Sequence, residues 1–104
     1  MAAPYNPPVS GEDFVLYIAL NDAADPTSFV ANPTIATGDF KISKDGGTTA
    51  NLTTLPVVTP AGGVGVKITL SLTEMTADNV SIIGIDQTAT KEWCDFYLSI
   101  PTTA

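Results

Sequence analysis

Three features of the sequence predict an all-β fold, a single antiparallel β-sandwich (Ig-like) of about six to seven strands with one short helical turn. Short stretches alternate apolar and polar side chains, the period of a strand with one face in a core. Turns rich in Gly, Pro and Asp separate these stretches. No segment carries a helix-period apolar stripe long enough for an α/β fold.

Residues 1–12 hold Pro4, Pro7 and Pro8 among small and polar neighbours. Proline lacks the N–H that a ladder needs, so this segment reads as an extended arm, either a frayed terminus or a strap that orders against a neighbouring subunit, and residues 13–104 as the sandwich domain. The first strand signal is EDFVLYIAL, with Phe14, Leu16, Ile18 and Leu20 on one face and Val15, Tyr17 and Ala19 on the other. NDAADPTSFVANPTIATG is a long loop with a short extended piece at Phe29 and Val30, punctuated by Pro26 and Pro33. DFKISK alternates again, and Asp45-Gly46-Gly47 after it is a turn, because glycine takes positive φ without steric cost. NLTTLPVVTP holds a shorter strand ended by Pro56 or Pro60.

The clearest alternation is VGVKITLSL. Val64, Val66, Ile68, Leu70 and Leu72 share one face, which predicts a half-buried antiparallel strand. TEMTADN is the one helical stretch, with Thr73 as its cap and Met75 aimed at the core. VSIIGID is apolar on both faces and reads as a central strand. EWCDFYLSI closes the fold, with Cys94, Phe96, Leu98 and Ile100 inward and Trp93, Asp95, Tyr97 and Ser99 outward.

A chain of 104 residues suits one domain, able to bury roughly two-thirds of its unfolded surface. Its 11 acids face four lysines and no arginine, a net charge of −7. Such a surface repels phosphate backbones, so nucleic acid is not an expected partner. The longest apolar run, Phe14 to Leu20, is too short to span a bilayer, and no membrane partner is expected. The start, MAAPYNPPVSGEDF, lacks the basic and apolar regions of a signal peptide, so a soluble protein made in the cytosol is the expectation.

The candidate chemistry is thin. In FKISKDGGTT the lysines precede the glycines and a strand precedes both, the reverse of a phosphate-gripping loop, so a strand running into a turn is the better reading. With no histidine, neither a serine nor the lone Cys94 has a general base, and a zinc site lacks ligands. Asp22, Asp25, Asp39, Asp45, Asp78 and Asp86 lie in loops or near strand ends, but without EF-hand spacing they read as solvated turn residues. No catalytic residue, cofactor or metal is expected. Tyr17, Trp93 and Tyr97 fall opposite the predicted core and, on neighbouring strands, would make an outward aromatic patch suited to a partner. The other reading is a second core layer under the loop from Asn21 to Gly38. Tyr5 on the arm joins these three as a candidate contact.

The stretches GDFKISKDGG (Gly38 to Gly47), NLTTLP (Asn51 to Pro56), TPAGGVGVKITLSLTEMTADNV (Thr59 to Val80) and IDQTATKEWCDFYLSI (Ile85 to Ile100) run in a characteristic order. Over residues 36–100 that order resembles a β-sandwich module of structural proteins in tailed bacteriophages and prophages. The module occurs in small virion proteins and as a unit within neck or tail fibres. The resemblance implies a non-enzymatic virion protein, made in the host bacterial cytoplasm, that binds other virion structural proteins of the capsid, portal, neck or tail. Separately, edge strands and a two-sided first strand suggest self-association, with a trimer as one form, or capture by a neighbour, because bare sheet edges are sticky. Ending at Ala104 without a distal stalk favours a capsid decoration or cement protein, or a short head–tail adaptor. The alternative is a glycan- or receptor-binding module of a phage fibre, with Trp93 and the tyrosines as a sugar platform.

Overall fold

A computed structural model describes residues 8–103. Seven strands follow in order: β1 (Phe14–Ala19), β2 (Phe40–Lys44), β3 (Ala50–Asn51), β4 (Val57–Val58), β5 (Gly65–Leu70), β6 (Asn79–Gly84) and β7 (Phe96–Pro101). They build two antiparallel sheets, β1-β5-β4 and β3-β2-β6-β7, packed face to face as a sandwich. The chain alternates between the sheets: β2–β3, β4–β5 and β6–β7 are each paired neighbours, and the connections between these pairs cross over.

Alternation places the core as read. Val66, Ile68 and Leu70 of β5 meet Phe40 and Ile42 of β2, Val80 and Ile82 of β6 and Ile100 of β7 in one buried cluster. The β5 reading differs at the strand's two ends. The strand stops at Gly65 and Leu70, so Val64 and Leu72 lie beyond the ladder and are exposed. Strand β6 is central, between β2 and β7, which is why both its faces are largely covered. Its Gly84 is required by packing: opposite it stands Phe96, whose ring occupies the place a Cβ would take.

The turn after β2 is the one its residues specify. Asp45 and Gly46 have φ of 52° and 74°, and the Gly47 N–H donates to the Lys44 carbonyl at 2.9 Å. Two successive positive φ values make the tight primed turn that matches strand twist, and Asp-Gly suits it.

The expected helical turn does not become a helix, and no helix occurs among the described residues. Ser71, not Thr73, acts as the cap: its hydroxyl accepts the Glu74 N–H, while the Glu74 carboxylate accepts the Ser71 N–H at 2.9 Å. This reciprocal pair is a capping box. One bond of helical span follows, from the Met75 N–H to the Ser71 carbonyl, and Met75 is fully buried as read. The chain then enters β6 at Asn79, and a single turn cannot repay helix nucleation.

Residues 8–12, read as arm, are tied to the sandwich. Val9 bridges Thr103, and the Gly11 N–H donates to the Met75 carbonyl. Residues 1–7 of the arm, Tyr5 among them, lie outside the described residues.

Candidate functional site

The three rings read as one patch do not come together. Tyr17 projects from the outer face of β1, 62% exposed, with Lys67 of β5 opposite it and Val57 of β4 opposite Lys67. Tyr97 projects from the outer face of β7, 64% exposed. Those strands belong to different sheets, and the outer faces of a sandwich point away from each other.

The outward reading of Trp93 is corrected: it is 0% exposed. Its indole N–H donates to the Thr34 carbonyl at 3.3 Å, and its ring packs on Phe40 and Phe96 with centroids 5.5 and 6.1 Å away. The loop between β1 and β2 covers it, fastened by the Thr34 N–H on the Glu92 carboxylate. The cause is a break in parity. Strand β7 begins only at Phe96, and Trp93 instead bridges Asp22. The irregular residues Cys94 and Asp95 let Trp93 and Phe96, three apart, both face inward, and one slipped residue reverses a strand's faces. Cys94, read as inward, is half-buried in this irregular step, its thiol 3.7 Å from the Asp22 carbonyl.

The outer face around Tyr97 is polar and connected. The phenol hydroxyl donates to Ser81 Oγ at 2.9 Å, Ser81 donates to Asn79 Oδ1, and the Asn79 amide donates to Ser99 Oγ. The face around Tyr17 is different, with exposed Val15 and Val57 beside the ring.

Of the six aspartates read as solvated turn residues, Asp39 and Asp86 are instead buried, and Asp39 and Asp45 join segments remote in sequence. Asp22 and Asp25 close their own turns on Ala24, Thr27 and Ser28. Asp39, buried, accepts the N–H groups of Ala36 and Gln87, and Asp45 accepts those of Asp78 and Asn79. Asp86, also buried, accepts the N–H and hydroxyl of Thr88 and the N–H of Glu92. Burial opposes its ionisation, but the bonds from Glu92, Thr88 and Trp93 outweigh that and hold its carboxyl below the ordinary aspartate range. The Thr27 hydroxyl and N–H, with the Ser28 hydroxyl, lower Asp25 likewise. Among the described residues, no group of three or more His, Cys, Asp or Glu side chains is placed to hold a metal ion. The chemistry of these carboxylates is to satisfy backbone donors that loops would otherwise leave bare.

A feature not legible from periodicity lies at one flank of the sandwich. Strands β1 and β7 are edges of their sheets, and the chain on either side of them is stitched together. Val9 bridges Thr103 at one end and Asp22 bridges Trp93 at the other. Between these stitches the two edges do not pair among the described residues. No family model, curated protein or solved structure matches the chain.

Proposed function

We propose that this chain is a non-enzymatic structural protein of a tailed-bacteriophage virion, a capsid decoration or cement protein or a short head–tail adaptor, held in place by contacts with other virion proteins. The observation that carries the reading is the ordered run of stretches from residue 36 to residue 100. The two-sheet sandwich supports it by agreeing with the fold that the resemblance implies. Tyr17 and Tyr97, exposed on opposite faces, offer contacts to two neighbours and not one shared patch. Tyr5 and the arm offer a third. The net charge of −7 keeps such a protein off packaged nucleic acid.

The glycan-binding alternative loses its platform, because the buried Trp93 ring has no free face for a sugar. The test is the protein content of purified particles of the phage or prophage that encodes the chain. Mass spectrometry is expected to find it at a fixed ratio to the major capsid or neck protein. Its absence from the particles would overturn the reading. Native mass by light scattering decides whether it attaches as a monomer or as a trimer.

A further inference from the structure

The flank between β1 and β7 is built unlike the rest of the sandwich. Five of the partly buried apolar residues that pack on the core come from these two edges: Phe14, Leu16, Ile18, Phe96 and Leu98. They face inward by alternation, yet each keeps part of its surface in solvent, whereas Val66, Ile68 and Leu70 on the neighbouring β5 keep none. The stitches at Val9–Thr103 and Asp22–Trp93 hold the two edges in place, so the gap between them is a defined feature of the fold.

The four sheet edges also differ in how they are protected. An exposed edge presents unpaired N–H and C=O groups, and soluble proteins blunt such edges by shortness, proline or charge. Strands β3 and β4 are two residues each, and β4 lies between Pro56 and Pro60. Strand β7 ends on Pro101. Strand β1, FVLYIA, has six residues and no proline, glycine or charge. It is the one long edge without a guard among the described residues.

We propose that this flank accepts an extended strand from another protein, laid along the β1 edge with its alternate apolar side chains closing over Phe14, Leu16, Ile18, Phe96 and Leu98. Main-chain bonds supply the affinity of such strand addition, and side chains on one face supply its selectivity. Charge sets the partner's chemistry. Glu12 and Asp13 precede β1 and Asp22 follows it, while Asp95 before β7 is already neutralised by Lys91. The matching strand therefore carries lysine or arginine at its ends. A second copy of this chain brings the same acids and a net charge of −7, so it is the wrong partner. The inference stands on β1 and β7 alone and does not depend on the virion reading.

The test uses the full chain and a synthetic peptide of alternating valine and threonine with two lysines at each end. Binding is read by fluorescence anisotropy and its place by amide hydrogen exchange. The expected result is saturable binding that slows exchange in Phe14–Ala19 by about tenfold or more and leaves β3 and β4 unchanged. A peptide with glutamate ends is expected to bind at least ~10-fold more weakly, as is one N-methylated at alternate residues. Replacing Glu12 and Asp13, both exposed, by lysine tests the charge term from the protein side without touching the core. Equal binding of the N-methylated peptide, no protection in β1, or indifference to the sign of the peptide ends would each overturn the proposal.

Discussion

Trp93 and Tyr97 stand four residues apart in the same C-terminal segment, yet one is 0% exposed and the other 64%. Trp93 sits in an aromatic corner with Phe40 and Phe96, roofed by the loop that carries Thr34. Tyr97 lies on a regular ladder, opposite Ile83, with its ring in solvent and its hydroxyl on Ser81. A strand's period holds only while its ladder holds. At Tyr97 alternation decides the side; at Trp93 the chain has left the ladder, and packing decides.

Four substitutions test this contrast. The largest effect is expected for Trp93→Ala, which empties the corner and frees the Thr34 loop. Urea unfolding should show a loss of about 3–5 kcal/mol. A loss no greater than that of an exposed residue would mean that the corner does not hold the fold.

Next comes Asp86→Asn, which weakens the staple beside Trp93 by removing the charge its donors point at. Bonds to a charged group are worth about 1.5–3 kcal/mol, and a fall in that range is expected. The same residue sets a pH dependence. Its folded pKa is below its unfolded one, so its contribution is complete above the ordinary aspartate value of about 3.9 and is lost as pH falls through the folded pKa. Thermal melts from neutral pH down to about pH 3 should steepen at the acid end, and Asp86→Asn should flatten that part of the curve. An unchanged slope would remove Asp86 as a source of acid sensitivity.

On the open face, Tyr97→Phe keeps the ring and deletes only the bond to Ser81, at an expected cost of about 0.5–1.5 kcal/mol. The smallest effect belongs to Tyr17→Ala, expected to lie within about 0.5 kcal/mol of the parent, because its ring stands in solvent on an outer face. Particle attachment by that variant separates a contact residue from an idle one. Reduced attachment with an unchanged melt marks a contact, and unchanged attachment removes Tyr17 from the proposed interface.

Much of the fold was determined by the sequence alone. The alternation in β1, β2 and β5 assigned the buried faces, and Asp45-Gly46-Gly47 marked its turn, because period and turn chemistry are local properties. The apolar run of β6 marked a central strand for the same reason. Four other features were decided by the tertiary structure. The parity break at Cys94 and Asp95 depends on Trp93 finding Asp22, which is remote in sequence. The separation of Tyr17 from Tyr97 depends on which sheet each strand joins, which the strands' own periodicity does not encode. Asp39 and Asp45 became staples only when distant N–H groups arrived beside them, Gln87 for Asp39 and Asp78 for Asp45. The β1–β7 flank likewise exists only after strand order is set, because an edge is a relation between strands and not a pattern within one.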